Sequence, residues 1–538
     1  MIKSPDMRTA PALPHICITA TGDSPQALVE SARRALEYSR FVELRLDWLR
    51  SPAQALPLVS RLLQSGSPHR GGSKAVLQAT CRREANGGRF GGTVGAQMEI
   101  LRQAAEGGCR VLDLEIESAE AAGTEAVEAL RRQALLILSW HDFHGTPRLE
   151  PVARRLRRFP ADFYKLVSTA ARQSDNCAAL DFLASAAAPE PRHEQWIIFC
   201  MGQAGISSRV LALSRGSAFV YASSPSGGDG EEAAPGQIDY ATLRGVYRAE
   251  KLTRQTALFG LLGYPVGHSL GVAIHNAAFR ARELDAVYLP WLARDLNDFR
   301  KAADRYPLAG FSVTIPHKQK ILSLLNRMDP TAKLAGAANT VRVRRGGWEA
   351  INTDVEGIVV PLRKAFRLTE RESLGKDFRA VVVGTGGAAR AALVALGELR
   401  CRDIAIAGRN LSKARSLAKD LGGRALPIAS LEKEHFDLMI HATSVGMWPN
   451  SDQCLLRPEQ INADTLFDLV YNPADTGLLQ LARQHGCQTI SGLEMFLAQA
   501  ARQFEYWTGV EAPRRLMRKI AEGELARFPQ PGIREGRR

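Results

Sequence analysis

A lysine and a histidine on two successive β-rich runs of the first half of the chain are the residue types that covalent chemistry on a ketone requires. Lys165 lies in the apolar run FYKLVS, and His141 lies near the end of the preceding run ALLILSWHDF. Burial disfavours the charged form of a lysine and so supplies the neutral amine that attacks a carbonyl carbon to form a Schiff base. Imidazole titrates near neutral pH, so it can remove a proton beside an iminium carbon and then protonate a leaving hydroxyl. The pair predicts imine-based catalysis; for the lysine alone, a strand end with its ammonium in solvent is the alternative.

Further charged residues occur on the other β-rich runs of this half. Glu43, Arg45 and Asp47 alternate along FVELRLDWL (41–49), so one face of a strand is expected to carry all three. A charged face on a buried strand must contact something polar. The same reasoning selects polar residues on or after the neighbouring runs, namely Arg82, Asp113, Glu115 and Arg209.

A second lysine and an aspartate form a candidate proton-transfer pair in the second half. In FSVTIPHK (311–318) the proline ends a strand, which places Lys318 in a cleft, and INTD (351–354) adds Asp354. A neighbouring lysine and aspartate can share a proton and pass it to a developing alkoxide. A surface ion pair is the alternative.

A glycine-rich turn between an apolar run and a helical stretch predicts a dinucleotide site. VVVGTGGAARAAL supplies Gly384, Gly386 and Gly387, whose backbone amides, with the helix N-terminus, can face a pyrophosphate. The next run, DIAIAG (403–408), is followed by Arg409 and Lys413 at the place where NAD-binding proteins carry an acid for the ribose hydroxyls. Positive charge there favours the 2'-phosphate, so NADP(H) is expected and NAD(H) is the alternative.

Eight β-rich runs separated by amphipathic stretches must position the residues of the first half. They are ICITA (16–20), FVELRLDWL (41–49), AVLQATCR (75–82), VLDLEIE (111–117), ALLILSWHDF (134–143), DFYKLVSTA (162–170), WIIFCMG (196–202) and FVYAS (219–223). This number and rhythm predict a (β/α)8 barrel, whose chemistry lies at the carboxyl ends of its strands. A loop over 223–237 and a closing helix IDYATLRGVYRAEKL are expected to follow.

The rest of the chain shows a new α/β pattern from ALFGLLGYPVGH (257) and a dinucleotide-binding unit that opens near 379. At about 150 residues per domain, 538 residues predict three or four domains. We expect an α/β protein with a TIM barrel over 1–250, a second domain over 257–360 completed by C-terminal helices at about 492–522, and a Rossmann domain over 361–491.

The motifs of the first half resemble those of type I 3-dehydroquinate dehydratases over about residues 14–250. They are ELRLD, SWHDFHGTP, the lysine of the sixth run, MGQAGISSR and APGQI. The resemblance implies dehydration of 3-dehydroquinate to 3-dehydroshikimate through an imine, without a metal. Lys165 would be the Schiff-base lysine and His141 the general acid and base, since His144 lies off the motif position. The substrate-binding residues would be Glu43, Arg45, Arg82, Arg209 and Gln237.

Two positions depart from that family's pattern. CRREANGG places Asn86 where the family has a glutamate, and Ala233 stands where the family has a substrate-binding serine. An amide carries no charge to support a histidine cation, so we expect a slowed or retuned proton transfer.

The second half resembles shikimate dehydrogenases over 257 to about 522. The motifs are GYPVGHS, SVTIPHK, GAANT, NTD, GTGGAARA, GRN, HATSVGM, DLVYNP and GLEMFLAQ. The resemblance implies reduction of 3-dehydroshikimate to shikimate by NADPH, with Lys318 and Asp354 as the catalytic pair. The residues that line the substrate would be Ser269, Thr314, Asn339, Tyr471 and Gln499. Those that face NADP would be Gly384, Gly386, Gly387, Arg409, Lys413, Thr443 and Met447.

This half also departs from its family at the start of a helix. The family reads H-S-x-S-P, whereas this chain reads HSLGV, so Gly271 replaces a carboxylate-binding serine and Val272 a proline. A lost hydroxyl weakens binding by about 1 kcal/mol, and glycine leaves room for an extra substituent such as the tertiary hydroxyl of quinate. A dehydrogenase directed at quinate is therefore an alternative.

Joined in this order, the halves resemble the bifunctional family in which the product of the first reaction is the substrate of the second. The alternative from another class is a pathway-sensing regulator with weakened catalysis, which Asn86, Ala233 and Gly271 would permit. Against that alternative, the chain keeps the four residues expected to carry catalysis: Lys165, His141, Lys318 and Asp354.

Composition and charge bear on partners and location. The net charge is +14, with Lys and Arg numbering 70 against 56 Asp and Glu, but the arginines are dispersed without an aromatic stacking motif, so nucleic acid is not expected. No apolar run is long enough to span a bilayer, residues 1–14 lack the apolar core of a signal peptide, and the eight cysteines form no C-x-x-C pair. We expect a cytoplasmic enzyme with small-molecule substrates and no membrane partner.

Overall fold

The computed structural model describes residues 13–64, 74–186, 194–225, 234–265, 269–306 and 308–528. Contacts divide the chain into two compact units, Met1–Thr256 with Leu289–Tyr306, and Ala257–Tyr288 with Pro307–Arg538. The described part of the chain contains no helix both long and apolar enough to cross a bilayer.

An eight-stranded parallel sheet forms the first part of the fold, in the order β7-β6-β5-β4-β3-β2-β1-β8. Its strands are β1 (Ile16–Ala20), β2 (Phe41–Arg45), β3 (Val76–Thr80), β4 (Val111–Glu115), β5 (Leu135–His141), β6 (Phe163–Thr169), β7 (Gln195–Met201) and β8 (Val220–Ala222). The two edge strands approach each other, since the amide of Ala218 donates to the carbonyl of Trp196 at 2.8 Å. The sheet is thus a nearly closed barrel, and the barrel prediction is confirmed.

Helices follow most of these strands. They are α1 (Pro25–Leu36), α2 (Leu56–Gln64), α3 (Val94–Glu106), α4 (Ile116–Ala122), α5 (Thr124–Gln133), α6 (Leu149–Leu156), α7 (Gln173–Ala186) and α8 (Ile206–Leu211). Helix α1 begins at an N-cap that the sequence specifies. The Ser24 side chain accepts a hydrogen bond from the amide of Ala27, and Pro25 occupies the first turn.

Two local expectations for the barrel are wrong. Strand β2 ends at Arg45, and Asp47 lies in a 3-10 turn, Leu46–Trp48, instead of on the strand. The expected closing helix is broken into a π-helical turn, Thr242–Val246, and a 3-10 turn, Ala249–Lys251. Arg248 between them has a φ of 53°, which an α-helix does not tolerate.

Alternation along the barrel strands separates an apolar layer from a polar one. Phe41, Val111, Ile137 and Phe163 belong to one buried apolar cluster, together with Phe199 of β7 and Phe219, which precedes β8. Two residues further along four of these strands, the side chains on the same face are polar: Glu43, Asp113, Ser139 and Lys165. The polar layer therefore lies toward the carboxyl ends, where barrel enzymes place their chemistry.

The second sheet is mixed, in the order β10-β9-β11-β13-β14-β12. Its strands are β9 (Ala257–Gly263), β10 (Ala286–Leu292), β11 (Leu308–Val313), β12 (Arg327–Met328), β13 (Thr340–Arg344) and β14 (Gly347–Ile351). Strands β9 and β11 are parallel, whereas β13 runs antiparallel to β11 and to β14. The helices of this segment are α9 (Leu270–Ala281), α10 (Leu296–Arg305), α11 (Pro330–Ala335) and α12 (Thr353–Ala365).

The third sheet is parallel throughout, in the order β17-β16-β15-β18-β19-β20. Its strands are β15 (Arg379–Val383), β16 (Asp403–Gly408), β17 (Arg424–Pro427), β18 (Phe436–His441), β19 (Ala463–Asp468) and β20 (Gln488–Ile490). The helices are α13 (Gly387–Glu398), α14 (Leu411–Leu421), α15 (Gly477–Gln484), α16 (Gly492–Thr508) and α17 (Arg514–Leu525). This strand order is that of a Rossmann fold, which binds ligands at the carboxyl ends of its central strands.

Candidate active sites

Lys165 lies inside the barrel and is 3% exposed. Its Nζ lies 2.9 Å from Oδ2 of Asp113 and 4.0 Å from the centre of the Tyr221 ring. The hydroxyl of Ser139 donates to the other oxygen of Asp113 at 2.6 Å. Burial opposes the ionisation of Asp113, but Lys165 and further donors hold its pKa below the ordinary value. A lysine in this setting has a carboxylate partner for an ammonium or an iminium cation.

His141 ends β5, one strand before Lys165. Burial lowers the pKa of its imidazole well below the ordinary value, and the positive charges of Arg82, Lys165 and Arg45 lower it further. Its Nδ1 atom has no hydrogen-bond partner among the described residues, and its ring lies nearly parallel to that of Phe143 at 6.2 Å. A neutral imidazole in this position can accept a proton.

The Asn86 side chain is hydrogen-bonded to an acidic residue, Glu117. Its amide nitrogen donates to Oε2 of Glu117 at 2.8 Å, and its amide oxygen has no partner in the described part of the chain. Glu117 in turn contacts Arg155 at 3.0 Å. Asn86 thus forms no part of the hydrogen bonding of His141; the other departure, Ala233, lies outside the described residues.

Glu43 is bound by hydroxyl and amide donors from the neighbouring strands. It accepts from Thr19 at 2.9 Å, from Thr80 at 2.8 Å and from Gln78 at 3.1 Å. The side chain of Gln237 donates to the same Thr19 hydroxyl at 3.0 Å. The structure thus brings two residues predicted to bind substrate, Glu43 and Gln237, to one hydrogen-bonded group.

The three arginines predicted for this site have different partners. Arg45 donates to both carboxylate oxygens of Asp47, at 2.9 and 2.8 Å. Arg82 lies two residues beyond the end of β3 and 3.7 Å from Glu115. Arg209 lies on α8, where it donates to the carbonyl of Pro235 at 3.1 Å. All three are buried, so a carboxylate entering the site meets charges that are poorly hydrated.

Glu115 has a strongly perturbed carboxyl group. Burial raises its pKa to about 7, the nearby Asp113 adds to that rise, and Arg82 partly offsets it. It accepts from the Gln97 side chain at 2.6 Å and from the amide of Arg83 at 3.2 Å. Its carboxyl group lies 3.7 Å from the Arg82 guanidinium and helps to position that arginine.

The second site contains Lys318 and Asp354 in direct contact, with Nζ 2.5 Å from Oδ2. The other carboxylate oxygen of Asp354 accepts from the Asn339 side chain at 2.8 Å. The oxygen of that side chain accepts from the amide of Thr353 at 2.8 Å, and the Thr353 hydroxyl lies 3.5 Å from Gln499. Four of the predicted residues, Lys318, Asp354, Asn339 and Gln499, therefore belong to one polar network.

Helix α16 brings Gln499 against α12 at a glycine. A Cβ atom on Gly357 would lie 3.0 Å from Cβ of Gln499, so the close approach of the two helices favours glycine there. Tyr471 stacks on Phe496 of the same helix, with ring centres 4.5 Å apart, and burial raises the pKa of its phenol. Thr314 follows the end of β11 and is half-buried.

The start of α9 shows which groups surround Gly271. Ser269 caps this helix and accepts from the amide of Gly271 at 3.2 Å. A Cβ atom on Gly271 would lie 3.2 Å from Oγ of Ser269 and 3.6 Å from the hydroxyl of Tyr288. A side chain in this position would thus be flanked by two hydroxyl groups.

The glycine turn after β15 fits a pyrophosphate. Gly384 has a φ of 136°, and a Cβ atom there would lie 2.6 Å from the carbonyl oxygen of Ala442, so glycine is required. Gly386 precedes α13 and has nothing within 4 Å of a built Cβ, which leaves the helix N-terminus open. A Cβ on Gly387 would lie 3.7 Å from Cδ of Lys318, so the turn adjoins the candidate proton donor.

The remaining residues predicted to face NADP lie at the carboxyl ends of β16 and β18. Arg409 and Lys413 are exposed, at the end of β16 and in the first turn of α14. Thr443 and Met447 lie in the segment after β18, and Met447 is 39% exposed. Two cations beside the open turn match the charge of a 2'-phosphate.

Some contacts of the two sites have no signal in the sequence pattern. The pattern identifies Asp113 as a polar strand residue but does not pair it with Lys165, and no motif indicates Tyr221, Phe143 or Gly357. The signal for Asp113 was present, since a carboxylate in a buried strand needs a partner. The described ranges contain no group of three or more His, Cys, Asp or Glu placed to hold a metal ion.

Comparison with known proteins places both halves in families. A model described as type I 3-dehydroquinase matches residues 16–254, and one described as shikimate dehydrogenase substrate binding domain matches 261–341. Models for shikimate / quinate 5-dehydrogenase and for the shikimate 5'-dehydrogenase C-terminal domain match 368–459 and 492–522. The bifunctional 3-dehydroquinate dehydratase/shikimate dehydrogenase of Arabidopsis thaliana, described as chloroplastic, is 30% identical over 540 residues, which cover 96% of this chain and 86% of that protein.

The chain belongs to the bifunctional 3-dehydroquinate dehydratase/shikimate dehydrogenase family. Both resemblances stated from the sequence are thereby confirmed. An NADP(+) shikimate dehydrogenase of Methanopyrus kandleri is 40% identical over 280 residues, or 49% of this chain and 94% of that protein. A shikimate 5-dehydrogenase structure from Thermus thermophilus with NADP(H) and shikimate is 30% identical to this chain. The match covers 50% of this chain and 99% of that protein's chain, with a TM-score of 0.45.

Proposed function

We propose that the chain converts 3-dehydroquinate to 3-dehydroshikimate in the barrel and then reduces 3-dehydroshikimate to shikimate with NADPH. The observation that carries the proposal is that one chain of this family holds the residues of both reactions. The barrel buries Lys165, paired with Asp113, and has His141 on the preceding strand, and the second half pairs Lys318 with Asp354. Membership of the family supports the order of the two reactions, since the first product is the second substrate.

In the first reaction, the Lys165 ammonium passes one proton to the ketone oxygen as its nitrogen adds to the carbonyl carbon. A second proton from that nitrogen leaves with the oxygen as water, and the substrate iminium on the lysine keeps the positive charge. Asp113, 2.9 Å from Nζ, is the counter-ion of that cation. The neutral imidazole of His141 then takes a proton from the carbon next to the iminium carbon, and the resulting imidazolium protonates the departing hydroxyl. Hydrolysis of the conjugated iminium releases 3-dehydroshikimate and restores the Lys165 ammonium.

In the second reaction, bound NADPH supplies a hydride to the C3 ketone. Lys318 donates a proton to the oxygen that becomes the alkoxide, and Asp354 at 2.5 Å holds the ammonium in place. Asn339 fixes Asp354 from the other side at 2.8 Å. Gly384 and the open N-terminus of α13 would hold the pyrophosphate, with Arg409 and Lys413 on the 2'-phosphate.

The test is incubation of the purified chain with 3-dehydroquinate and NADPH, with product identification by mass and with NADPH consumption followed by absorbance. We expect shikimate. Lys165→Ala should abolish trapping of substrate on the protein by borohydride, and Lys318→Ala is the matched lysine control, which should keep trapping and lose NADPH consumption. Trapping at an unchanged level in Lys165→Ala would remove Lys165 from its role.

Quinate is a second candidate substrate of the dehydrogenase half, favoured by the absence of a side chain at Gly271. A substituent there would lie between Ser269 and Tyr288, two hydroxyl groups able to hydrogen-bond the tertiary hydroxyl of quinate. Quinate as the main product of the same incubation would support this candidate. No turnover by folded protein would favour the pathway-sensing regulator.

We also propose cytoplasmic residence and the domain limits 1–250, 257–360 with about 492–522, and 361–491. All eight cysteines are unpaired in the structure, as a reducing compartment requires. Separate expression of 1–250 tests the first boundary, with soluble dehydratase activity as the expected result. A fluorescent fusion of the full chain tests the location, and accumulation in an organelle or an exported fraction would contradict it.

A further inference from the structure

A histidine that no step above uses is buried in the third sheet. His441 ends β18 and lies opposite Asp468, which ends β19, in the register of the two strands. The two residues are 1% and 0% exposed. Nδ1 of His441 lies 2.8 Å from Oδ1 of Asp468, and Nε2 lies 2.6 Å from Oγ1 of Thr443. The ring thus joins a carboxylate to a residue predicted to face NADP.

The hydrogen bonds of Asp468 indicate which ring nitrogen of His441 carries the proton. Asp468 also accepts from the amide of Val470 at 3.0 Å and from the hydroxyl of Thr476 at 2.6 Å. An ionised carboxylate only accepts, so His441 donates its Nδ1–H to Asp468. In the neutral ring, Nε2 is then an acceptor, and the hydroxyl of Thr443 donates to it.

Thr443 is held from its other side as well, and it lies against the glycine turn. The amide of Val445 donates to its Oγ1 at 3.2 Å. A Cβ atom on Gly384 would lie 3.4 Å from Cγ2 of Thr443 and 2.6 Å from the carbonyl oxygen of Ala442. The geometry of the segment after β18 therefore determines one wall of the space next to the predicted pyrophosphate site.

A second contact links this segment to the one after β19. The amide of Trp448 donates to the carbonyl of Asn472 at 2.9 Å, and Asn472 follows Tyr471, a residue predicted to line the substrate. Two hydrogen bonds therefore join the segments: His441 to Asp468 at the ends of β18 and β19, and Trp448 to Asn472 beyond the strand ends. A change in the orientation of His441 acts on both.

We propose that His441 is a positioning residue of the dehydrogenase site, which holds the Thr443 hydroxyl and its segment in the geometry that binds NADP(H). The proposal rests on the proposed function, because that function assigns the cofactor to the turn beside Thr443. His441 acts through Thr443, with Asp468 fixing the imidazole ring.

Two single variants and their combination isolate this contact. His441→Asn keeps an amide donor at the distance of Nδ1, so it preserves the bond to Asp468 and removes the acceptor for Thr443. Thr443→Val keeps the shape of the threonine and removes its hydroxyl. His435→Asn is the matched control, since His435 is an exposed histidine just before β18 whose Nδ1 lies 3.1 Å from Asn462.

The experiment measures the Kd of NADP+ by calorimetric titration of the full chain, with the KM and kcat for NADPH and the dehydratase rate on the same samples. Loss of one hydrogen bond predicts a rise of about five- to tenfold in Kd and KM for each single variant. We expect kcat to change less than about twofold, the dehydratase rate to stay constant, and the double variant to resemble the single ones. His435→Asn should match the wild type.

Three outcomes would overturn the proposal: an unchanged Kd in His441→Asn, effects that multiply in the double variant, or a fall in kcat with Kd unchanged. If His441→Asn does not fold, Thr443→Val decides alone, and an unchanged Kd in that variant rejects the proposal. If the wild-type chain binds NADP+ but does not reduce 3-dehydroshikimate, the proposed function is refuted. The titration would still decide whether His441 is a positioning residue. Wild-type chain that binds no NADP+ would overturn both.

Discussion

Asp113 and Lys165, 52 residues apart in the sequence, form a buried ion pair with 2.9 Å between Oδ2 and Nζ. Both residues are at most 3% exposed, so the two charges are buried away from bulk solvent. The pair explains how the barrel can bury the lysine proposed to form the Schiff base. It also makes the stability of the barrel depend on a residue of the site.

Removal of one member of this pair should destabilise the fold. We expect Asp113→Ala to lower the free energy of unfolding by about 3–5 kcal/mol, because the ammonium of Lys165 loses this carboxylate contact while it stays buried. Urea denaturation followed by circular dichroism measures the loss. The double variant Asp113→Leu with Lys165→Met should recover part of it, and a loss below about 1 kcal/mol in Asp113→Ala would contradict the expectation.

The pH dependence of the dehydratase should show the lowered pKa of His141. Burial, and then Arg82, Lys165 and Arg45, favour the neutral ring, so the base form persists as pH falls. We expect kcat/KM for 3-dehydroquinate to change less than about twofold between pH 8 and pH 6, whereas a histidine with an ordinary pKa near 6.5 would lose about fourfold. A fourfold loss in the measured profile would reject a neutral base with a lowered pKa.

A carboxylate at position 86 should move that profile. Asn86→Glu adds a negative charge at the position where the family has glutamate, and such a charge favours the imidazolium. The acid limb of the dehydratase profile should shift to higher pH. Asn86→Gln is the uncharged control of the same length, and an equal shift in both variants would exclude the charge as the cause.

Arg409 should discriminate between the two nicotinamide cofactors. Arg409→Ala removes a cation at the end of β16, so the KM for NADPH should rise about 10- to 100-fold, as expected for a hydrogen bond to a charged group. The KM for NADH should change little, since NADH lacks the 2'-phosphate. Arg402→Ala is the control, because Arg402 is exposed before the start of β16. An equal rise for both cofactors would reject the assignment.

The space at Gly271 should determine the preference between shikimate and quinate. Gly271→Ser adds a hydroxyl near Ser269 and Tyr288, which should lower the KM for shikimate about fivefold and reduce quinate oxidation. Gly271→Ala fills the same space without a hydroxyl and should reduce quinate oxidation alone. Quinate oxidation unaffected by both variants would show that this space does not contact the substrate.

Sequence-based predictions agree best with the structure where a short segment of the chain specifies its own secondary structure. Strand β16 has the bounds 403–408 expected from DIAIAG, because a short apolar run, IAIA, bounded by the turn formers Asp403 and Gly408 specifies a buried strand. Strand β2 was expected to reach 49 and ends at Arg45, since its alternation continues formally through a 3-10 turn that the sequence pattern does not distinguish from a strand. The prediction of one continuous closing helix is wrong for a related reason. The backbone at Arg248 is left-handed, and no glycine marks that position in the sequence.

The sequence by itself determined the family, the barrel followed by the dehydrogenase, and the residue types proposed for each reaction. These follow from side-chain alternation, glycine spacing and motif order, all of which are properties of short segments. The tertiary structure decided which side chains meet: Asp113 with Lys165, Asn86 with Glu117 instead of with His141, and His441 with Thr443 and Asp468. Such contacts depend on strand register and on the packing of segments far apart in the chain, which no local pattern encodes.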